Sequence, residues 1–192
     1  MINTDTLEKI ISAYKQKFDS IHEEEIYKWK AVKCFQDNWD ENAEDFPTML
    51  ENSFEKANNL LTSYNFYPKS MICAIAQKDP EAVRSMFLSL FDELQNVTER
   101  IENFIEDAEK LRLKYSGGSW KSHYQTANSV SIYLFFRYPD KYYIYKYRKF
   151  KEFALNIGYS IVPKMGKTEE IQNYFVMCNE ILKVVCQDNE LI

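Results

Sequence analysis

The chain has 192 residues, which is enough for one domain or for one domain with an appendage. It carries a net charge of −5, and its 4 Gly and 5 Pro encode few sharp turns, which predicts long helices with short connections. No apolar run approaches the length of a membrane span, and the first residues lack the order of a signal peptide, so we expect a cytoplasmic location without membrane contact.

Apolar residues recur at helical spacing through the first part of the chain, residues 1–115. We predict a first helix whose start is capped by Asp5 with Glu8, and a second with acids in its first turn. A third helix is predicted over residues 46–61. The apolar stripes of the first two are Leu7, Ile10, Ile11, Tyr14 and Phe18, then Ile26, Trp29, Val32, Phe35 and Trp39.

The remainder of this helical part begins with a short apolar helix over residues 71–77. Asp79 followed by Pro80 predicts a new helix start, because Asp caps well and Pro fits the first helical position. The apolar pattern then continues to Tyr115 with a bend near residues 92–96, and Gly117 and Gly118 end it.

The second part of the chain, residues 116–192, starts with a change to period-two alternation. Residues 129–137 alternate as a strand does, residues 138–141 form a turn around Pro139, and residues 142–147 predict a second, antiparallel strand. A helix over 148–157 ended by Gly158, a short third strand over 159–162 and a last helix capped by Thr168 follow. The expected fold class is therefore α+β: a single domain with a mainly helical N-terminal half, then a small antiparallel β-hairpin or sheet with flanking helices.

Motifs for catalysis or metal binding are weak. The four cysteines form no CxxC pair and the two histidines lie far apart, so we expect no metal and no cofactor. Gly166-Lys167-Thr168 ends like a phosphate-binding loop, but the position that requires the earlier glycine is Ile161. The paired acids fall at helix starts or on polar faces, which indicates solvated surface. We therefore expect no enzymatic activity of this chain by itself.

The segment from Lys110 to Lys151 stands out by its charge and its aromatic residues. It holds ten basic residues and one acid, Asp140, so it carries +9 while the rest of the chain carries −14. Eight of the 14 tyrosines also lie in it. Lys and Arg attract phosphates, and aromatic rings stack on bases, so this segment is the best candidate for a nucleic-acid surface.

The tyrosines of this segment allow two interpretations. If the row that includes Tyr143 and Tyr145 is exposed, it can stack on a base while the cations hold the backbone. If the row packs under helices, the lysines only solvate strand edges and the stacking surface is lost. The exposure of Tyr143 and Tyr145 therefore distinguishes a DNA-binding surface from a structural one.

Five runs of this chain are distinctive. The two most specific are WKSHYQ at residues 120–125 and SIYLFFRYPDKYYIYK at 131–146, supported by WD at 39–40, DPEAVRSMF at 79–87 and LFDE at 90–93. These runs resemble the N-terminal region of McrB-like AAA+ ATPases, which belong to modification-dependent restriction systems. The resemblance covers roughly residues 25 to 160. It implies a target-recognition module at the front of a longer ATPase, with a GTP-driven motor domain in the same chain and a nuclease as a separate subunit.

Two functions remain open from the sequence. The first is a DNA-binding recognition domain, for DNA with or without methylated bases, that reads a flipped base as the resemblance implies. The second is a protein-interaction or sensor module of the same kind of ATPase that does not bind nucleic acid. The first predicts a site formed by Trp120, Lys121, His123, Tyr124, Arg137, Lys141, Tyr143, Tyr145, Lys146, Arg148 and Lys149.

Overall fold

The computed structural model describes residues 2–161 and 163–191, and the part of the chain that it describes is helical without any strand. It divides into two compact units. The larger unit comprises residues 27–144, and the smaller unit comprises residues 1–26 and 145–192. In this described part, no helix is both long enough and apolar enough to cross a membrane.

Ten α-helices follow one another along the described residues, with one short 3-10 turn at Glu55–Ala57. Their bounds are α1 Thr4–Gln16, α2 Phe18–Asn38, α3 Phe46–Ser53, α4 Asn58–Leu61, α5 Pro68–Ala76, α6 Pro80–Phe91, α7 Val97–Tyr115, α8 Ala127–Arg137, α9 Tyr147–Asn156 and α10 Glu170–Val185.

Side-chain caps define many of the helix starts. The Asp79 carboxylate accepts the Ala82 amide at the start of α6, as predicted. Asn96 accepts the first-turn amides of α7, where the sequence predicts only a bend. The start of α1 differs from the prediction, because Asn3 accepts the Thr6 amide. Each cap satisfies an amide that would otherwise have no partner in the helix.

The larger unit is built around an aromatic core. The ring of Tyr133, which is fully buried, lies within 6 Å of the rings of Phe54, Phe87 and Phe104. Its hydroxyl donates to Gln125 Oε1 at 2.9 Å, and Gln125 is itself buried. Other rings of the core belong to Phe35, Trp39, Phe46, Phe91 and Phe136.

The predicted first strand, residues 129–137, is wrong: these residues lie in α8. Every residue of α8 from Ser129 to Phe136 is buried. A helix that is buried on all sides has no polar face, so its sequence loses the 3.6-residue period and short runs can imitate an alternating strand. Its start is a capping box, in which the Thr126 hydroxyl accepts the Ser129 amide and the Ser129 hydroxyl accepts the Thr126 amide.

The other predicted strands are also wrong, which overturns the α+β fold class. Residues 142–146 form an irregular connection, and α9 begins at Tyr147. Tyr159, Ser160 and Ile161 are irregular too, while Val162 lies outside the described residues. The one bridge with β-type pairing among the described residues joins Ser63 to Phe66 across a tight turn. Without paired neighbours, tyrosine-rich segments such as 142–146 gain nothing from their β propensity.

The smaller unit packs α1, α9 and α10 around a core of its own. Its buried residues include Leu7 of α1, Phe150 and Ala154 of α9, and Ile171 and Phe175 of α10. The loop after α9 turns at Gly158, which has a φ of +62°, and the Ile157 carbonyl accepts the Asn3 amide at 2.8 Å. Lys15 of α1 forms ion pairs with Asp188 and Glu190 at 2.5 and 2.9 Å. The predicted side-chain cap by Thr168 is not formed, since Thr168 contributes only its carbonyl, to the Ile171 amide.

Candidate nucleic-acid interface

The residues predicted to bind DNA belong to both units, so they do not form one compact site within either. Seven belong to the larger unit: Trp120, Lys121, His123, Tyr124, Arg137, Lys141 and Tyr143. Four belong to the smaller unit: Tyr145, Lys146, Arg148 and Lys149.

Most cations of the segment Lys110 to Lys151 that lie in the larger unit are neutralised by neighbouring acids. Lys110 pairs with Asp107 at 2.8 Å, and Arg112 pairs with Glu109 at 2.7 Å. Lys114 reaches Asp79 at 3.2 Å, and Lys141 reaches Glu93 at 2.6 Å. Half-buried Arg137 lies over the ring of Tyr138. The large positive charge of this segment in the sequence is therefore not a large positive surface of this unit.

Lys141 belongs to a hydrogen-bond network with Glu93, Tyr142 and Arg100. The guanidinium of Arg100, which is only 2% exposed, donates to the Tyr142 hydroxyl at 2.6 Å and to the Leu90 carbonyl at 2.6 Å. The Tyr142 hydroxyl donates to Glu93 at 2.5 Å. Burial, helped by the Glu93 carboxylate, raises the pKa of Tyr142 to about 12. Burial alone would raise the pKa of Glu93, but the hydrogen bonds from Lys141 and Tyr142 outweigh it and lower that pKa.

The loop from Trp120 to Gln125 is held from both sides. Arg112 donates to the Trp120 carbonyl at 2.5 Å, and the Nε2 of buried Gln125 donates to the Pro68 carbonyl at 2.9 Å. His123 Nδ1 accepts the Gln125 amide at 3.0 Å, a bond that requires that nitrogen to be unprotonated. Burial lowers the pKa of His123, against the attraction of Glu109 3.9 Å away. His123 is thus a neutral structural residue at neutral pH.

The ring of Tyr124 meets those of Phe66 and Tyr67 beside this loop, and together with Tyr64, from the same turn as Phe66, we call these residues the aromatic corner. Tyr124 has a φ of +56°, a backbone conformation that side chains with a Cβ rarely adopt. Its ring stands edge-on to Phe66 and Tyr67, with centroids 6.2 and 5.7 Å away. Tyr64, at the tip of the turn between Ser63 and Phe66, is 92% exposed.

The tyrosines of the predicted second strand are not an open row. Tyr145 is 7% exposed, and its ring packs against Phe150 and Tyr174 in the smaller unit. Tyr142 is 4% exposed, and Tyr143 is half-buried. Tyr145 therefore has no free face for a base, and it serves the core of the smaller unit.

Exposed cations gather instead around the start of α9, and we call them the α9 basic patch: Lys146, Arg148, Lys149 and Lys151. Lys149 pairs with Glu152 at 3.1 Å. Within residues 2–161 and 163–191, the other three form no ion pair. Helix α9 has no acid in its first turn and no side-chain cap, so its free amides add to the positive potential.

An open groove lies between α9 and α10, next to the α9 basic patch. Its volume is about 390 Å³, within the range of small-molecule sites. Aromatic and apolar side chains form its walls, and Lys149 and Glu152 stand on its α9 side. The walls consist of Phe150, Phe153, Tyr174, Met177, Cys178 and Ile181. Burial raises the pKa of the Cys178 thiol to about 12, so this groove offers apolar contact and not a reactive thiolate.

Neither unit offers a metal site among the residues that the structure describes. No cluster of three or more His, Cys, Asp or Glu side chains is close enough there to hold an ion.

The sequence reasoning missed Lys151, the groove and most of the aromatic corner. Lys151 had a signal, because it lies within the basic run that begins at Lys146. Tyr64, Phe66 and Tyr67 also had one: three aromatics around an asparagine, between two helices, mark an exposed turn. No sequence pattern indicated the groove, because its walls come from α9 and α10, and the sequence does not specify how these two helices pack.

Comparisons of this chain with protein-family models, with curated proteins and with solved structures give no match. The similarity to McrB-like ATPases stays a prediction that rests on the residues quoted for it.

Proposed function

We propose that this chain is a DNA-binding recognition module whose contact with duplex DNA is the α9 basic patch. The observation that carries the proposal is the exposure of Lys146, Arg148, Lys149 and Lys151 along six residues, with Glu152 as their one ion-pair partner in the described part of the chain. Cations without a protein partner keep their full attraction for phosphates and release counterions when they bind.

The groove beside the patch supports the finer part of the proposal, the reading of a base. The rings of half-buried Phe153 and Tyr174 lie in its walls, and the volume of about 390 Å³ leaves room for one base. Lys149 belongs to both the patch and the groove, so a phosphate held there would lie close to a base inserted between α9 and α10.

The partners follow from the resemblance and belong to the same proposal. They are DNA with or without methylated bases, a motor domain in the same protein and a nuclease subunit in trans. A cytoplasmic location, where that DNA is accessible, is also part of it. The chain itself contributes binding and no catalysis.

A mobility-shift titration with a methylated and an unmodified duplex tests the proposal. We expect binding that weakens steeply with salt, because each phosphate contact adds about −0.9 to the slope of log affinity against log salt. The double variant Arg148→Ala/Lys151→Ala lowers affinity and makes that slope shallower by about 2. If the duplex is not shifted at low salt by tens of micromolar protein, the proposal fails.

The matched control is Lys30→Ala/Lys78→Ala, which removes the same charge from two exposed positions of the larger unit. It should leave duplex affinity within about twofold of the original. For the base-reading part, Phe153→Ala should abolish any preference for the methylated duplex while the unmodified duplex still binds. Equal affinity of the original protein for both duplexes contradicts base reading but not DNA binding.

A protein-interaction module is the second candidate, and the burial of Tyr145 favours it, because that hypothesis predicts a covered tyrosine row. Its contact surface would be the acidic helical part. The exposed apolar residues Leu155, Val176 and Leu182 of α9 and α10 offer a further surface for a protein partner. The salt-dependent duplex shift distinguishes the two candidates, since this one predicts none.

A further inference from the structure

The aromatic corner joins two stretches of the larger unit that are distant in sequence. The turn from Ser63 to Phe66 is closed by two backbone hydrogen bonds of 3.0 and 3.1 Å, and the Asn65 amide donates to the Tyr67 hydroxyl at 3.3 Å. Gln125 ties the second stretch to Pro68. Hydrogen bonds therefore fix the backbone that carries these rings, so little backbone entropy is lost when a ligand binds to them.

Two of the four rings are open to solvent. Tyr64 is 92% exposed and Tyr67 is 39% exposed, while Phe66 and Tyr124 are half-buried and the ring of Tyr124 packs against that of Tyr67. The rings of Tyr67 and Tyr124 meet at 82°, so they form two walls at a right angle. The φ of +56° at Tyr124 is the backbone conformation that places its ring there.

The two stretches of chain that carry these rings contain no acids, and Glu109 of α7, which lies 3.9 Å from His123 beside Tyr124, is paired with Arg112. Residues 56–78 and 110–139, the two stretches that meet at the corner, include no Asp or Glu in a chain with 29 of them. Lys121 is exposed, has no ion pair among the described residues and lies three positions before Tyr124. A polyanion can approach this surface without repulsion from nearby side chains of either stretch.

We propose that the aromatic corner binds single-stranded nucleic acid. Unpaired bases stack on Tyr64 and in the angle between Tyr67 and Tyr124, and Lys121 contacts a phosphate of the same strand. Exposed rings with a nearby cation are the combination that binds single strands without sequence preference. A proline-rich peptide could also use exposed rings, but it would need no acid-free stretches.

Fluorescence anisotropy of a labelled oligo-dT of about 12 nucleotides, at about 50 mM salt, tests this with the full chain. We expect Tyr64→Ala and Tyr67→Ala each to weaken binding about tenfold or more, which corresponds to the loss of one stacked base. Tyr64→Phe keeps the ring and should bind as the original does. Tyr14→Ala is the matched control, because Tyr14 of the smaller unit is also 39% exposed.

The double variant Arg148→Ala/Lys151→Ala separates this inference from the proposed function: we expect it to weaken duplex binding and to leave oligo-dT binding unchanged. Two results overturn the inference. One is the absence of oligo-dT binding, in which case binding of a proline-rich peptide would identify the other occupant, and the second is unchanged oligo-dT binding after both tyrosine substitutions.

Discussion

The arginines of the two units differ in what they contact: those of the larger unit are bound by protein groups, whereas Arg148 of the smaller unit is exposed. In the larger unit, Arg112 is bound by Glu109 and by the Trp120 carbonyl, and Arg100 is buried with Tyr142. In the smaller unit, Arg148 is exposed and forms no ion pair within the described residues. The comparison teaches that the number of cations in a segment does not measure its attraction for DNA, because neighbouring acids decide which of them remain available.

Among the substitutions considered for the two units, those in the aromatic core of the larger unit should lower the free energy of unfolding most. Phe87 is fully buried, with ring contacts to Trp39, Phe91, Phe104 and Tyr133. We expect Phe87→Ala to lower the free energy of unfolding by about 3–5 kcal/mol in urea titrations followed by circular dichroism. Leu94→Ala, at a position 96% exposed, should change it by less than about 0.5 kcal/mol. Similar losses for the two variants would show that this core does not hold the unit together.

Substitution of buried Arg100 should cause the next largest loss of stability. Arg100→Ala removes the donor to Tyr142 and to the Leu90 carbonyl and leaves buried acceptors unsatisfied, so we expect a loss of about 3 kcal/mol in unfolding free energy. The comparison variant is Lys141→Ala, whose side chain is 56% exposed on the other side of Glu93. It should cost less than about 1 kcal/mol. A loss for Lys141→Ala as large as that for Arg100→Ala would contradict the structural role assigned to Arg100.

Substitutions of Arg112 and Arg148 should affect different properties: the first should change stability, and the second should change duplex affinity. Arg112→Ala should lower the midpoint of urea unfolding, because it removes the donor to the Trp120 carbonyl, and should leave duplex affinity unchanged, because its charge is already paired with Glu109. Arg148→Ala should lower duplex affinity several-fold and change stability by less than about 0.5 kcal/mol. The two measurements are thermal or urea unfolding and the mobility shift. If Arg112→Ala weakens duplex binding as much as Arg148→Ala does, the distinction between paired and open cations is wrong.

The pH dependence of stability that His123 causes should be the smallest of these effects. Burial lowers the pKa of His123 below its ordinary value of 6.5, so the unfolded chain binds a proton more readily than the folded chain. The contribution to stability is complete above pH 6.5 and is lost as the pH falls from there through the folded pKa. Urea titrations at several pH values should therefore show a decline on the acid side that His123→Gln reduces. An identical decline in His123→Gln would assign it to other groups.

The helical elements of the larger unit were largely predictable. The spacing of Val83, Met86, Phe87, Leu90 and Phe91 gives one buried face of α6, and Asp79 gives its start, because caps and amphipathic faces are local signals. The bend near residues 92–96 and the stop at Gly117 followed from the same local chemistry.

The strand predictions failed for a reason that is not local. Residues 129–136 are covered on all sides by α2, α4, α6 and α7 neighbours or their connections, so no polar face remains to reveal a helical period. The tyrosines of residues 142–147 favour strands by propensity, yet no partner strand exists for them in the described part of the chain. Of the predicted site, Lys146, Arg148 and Lys149 are open to solvent, whereas Tyr145 is buried and Lys141 is paired.

The sequence by itself determined the position of most helices, the basic run from Lys146 to Lys151 and the acid-free stretches that contain Tyr64 and Lys121. Only the tertiary structure decided which cations meet acids, as Lys141 meets Glu93 across 48 residues, and which rings remain exposed. The physical reason is that charge and propensity are properties of a residue and its chain neighbours. Pairing and burial instead depend on residues that packing brings together from distant parts of the chain.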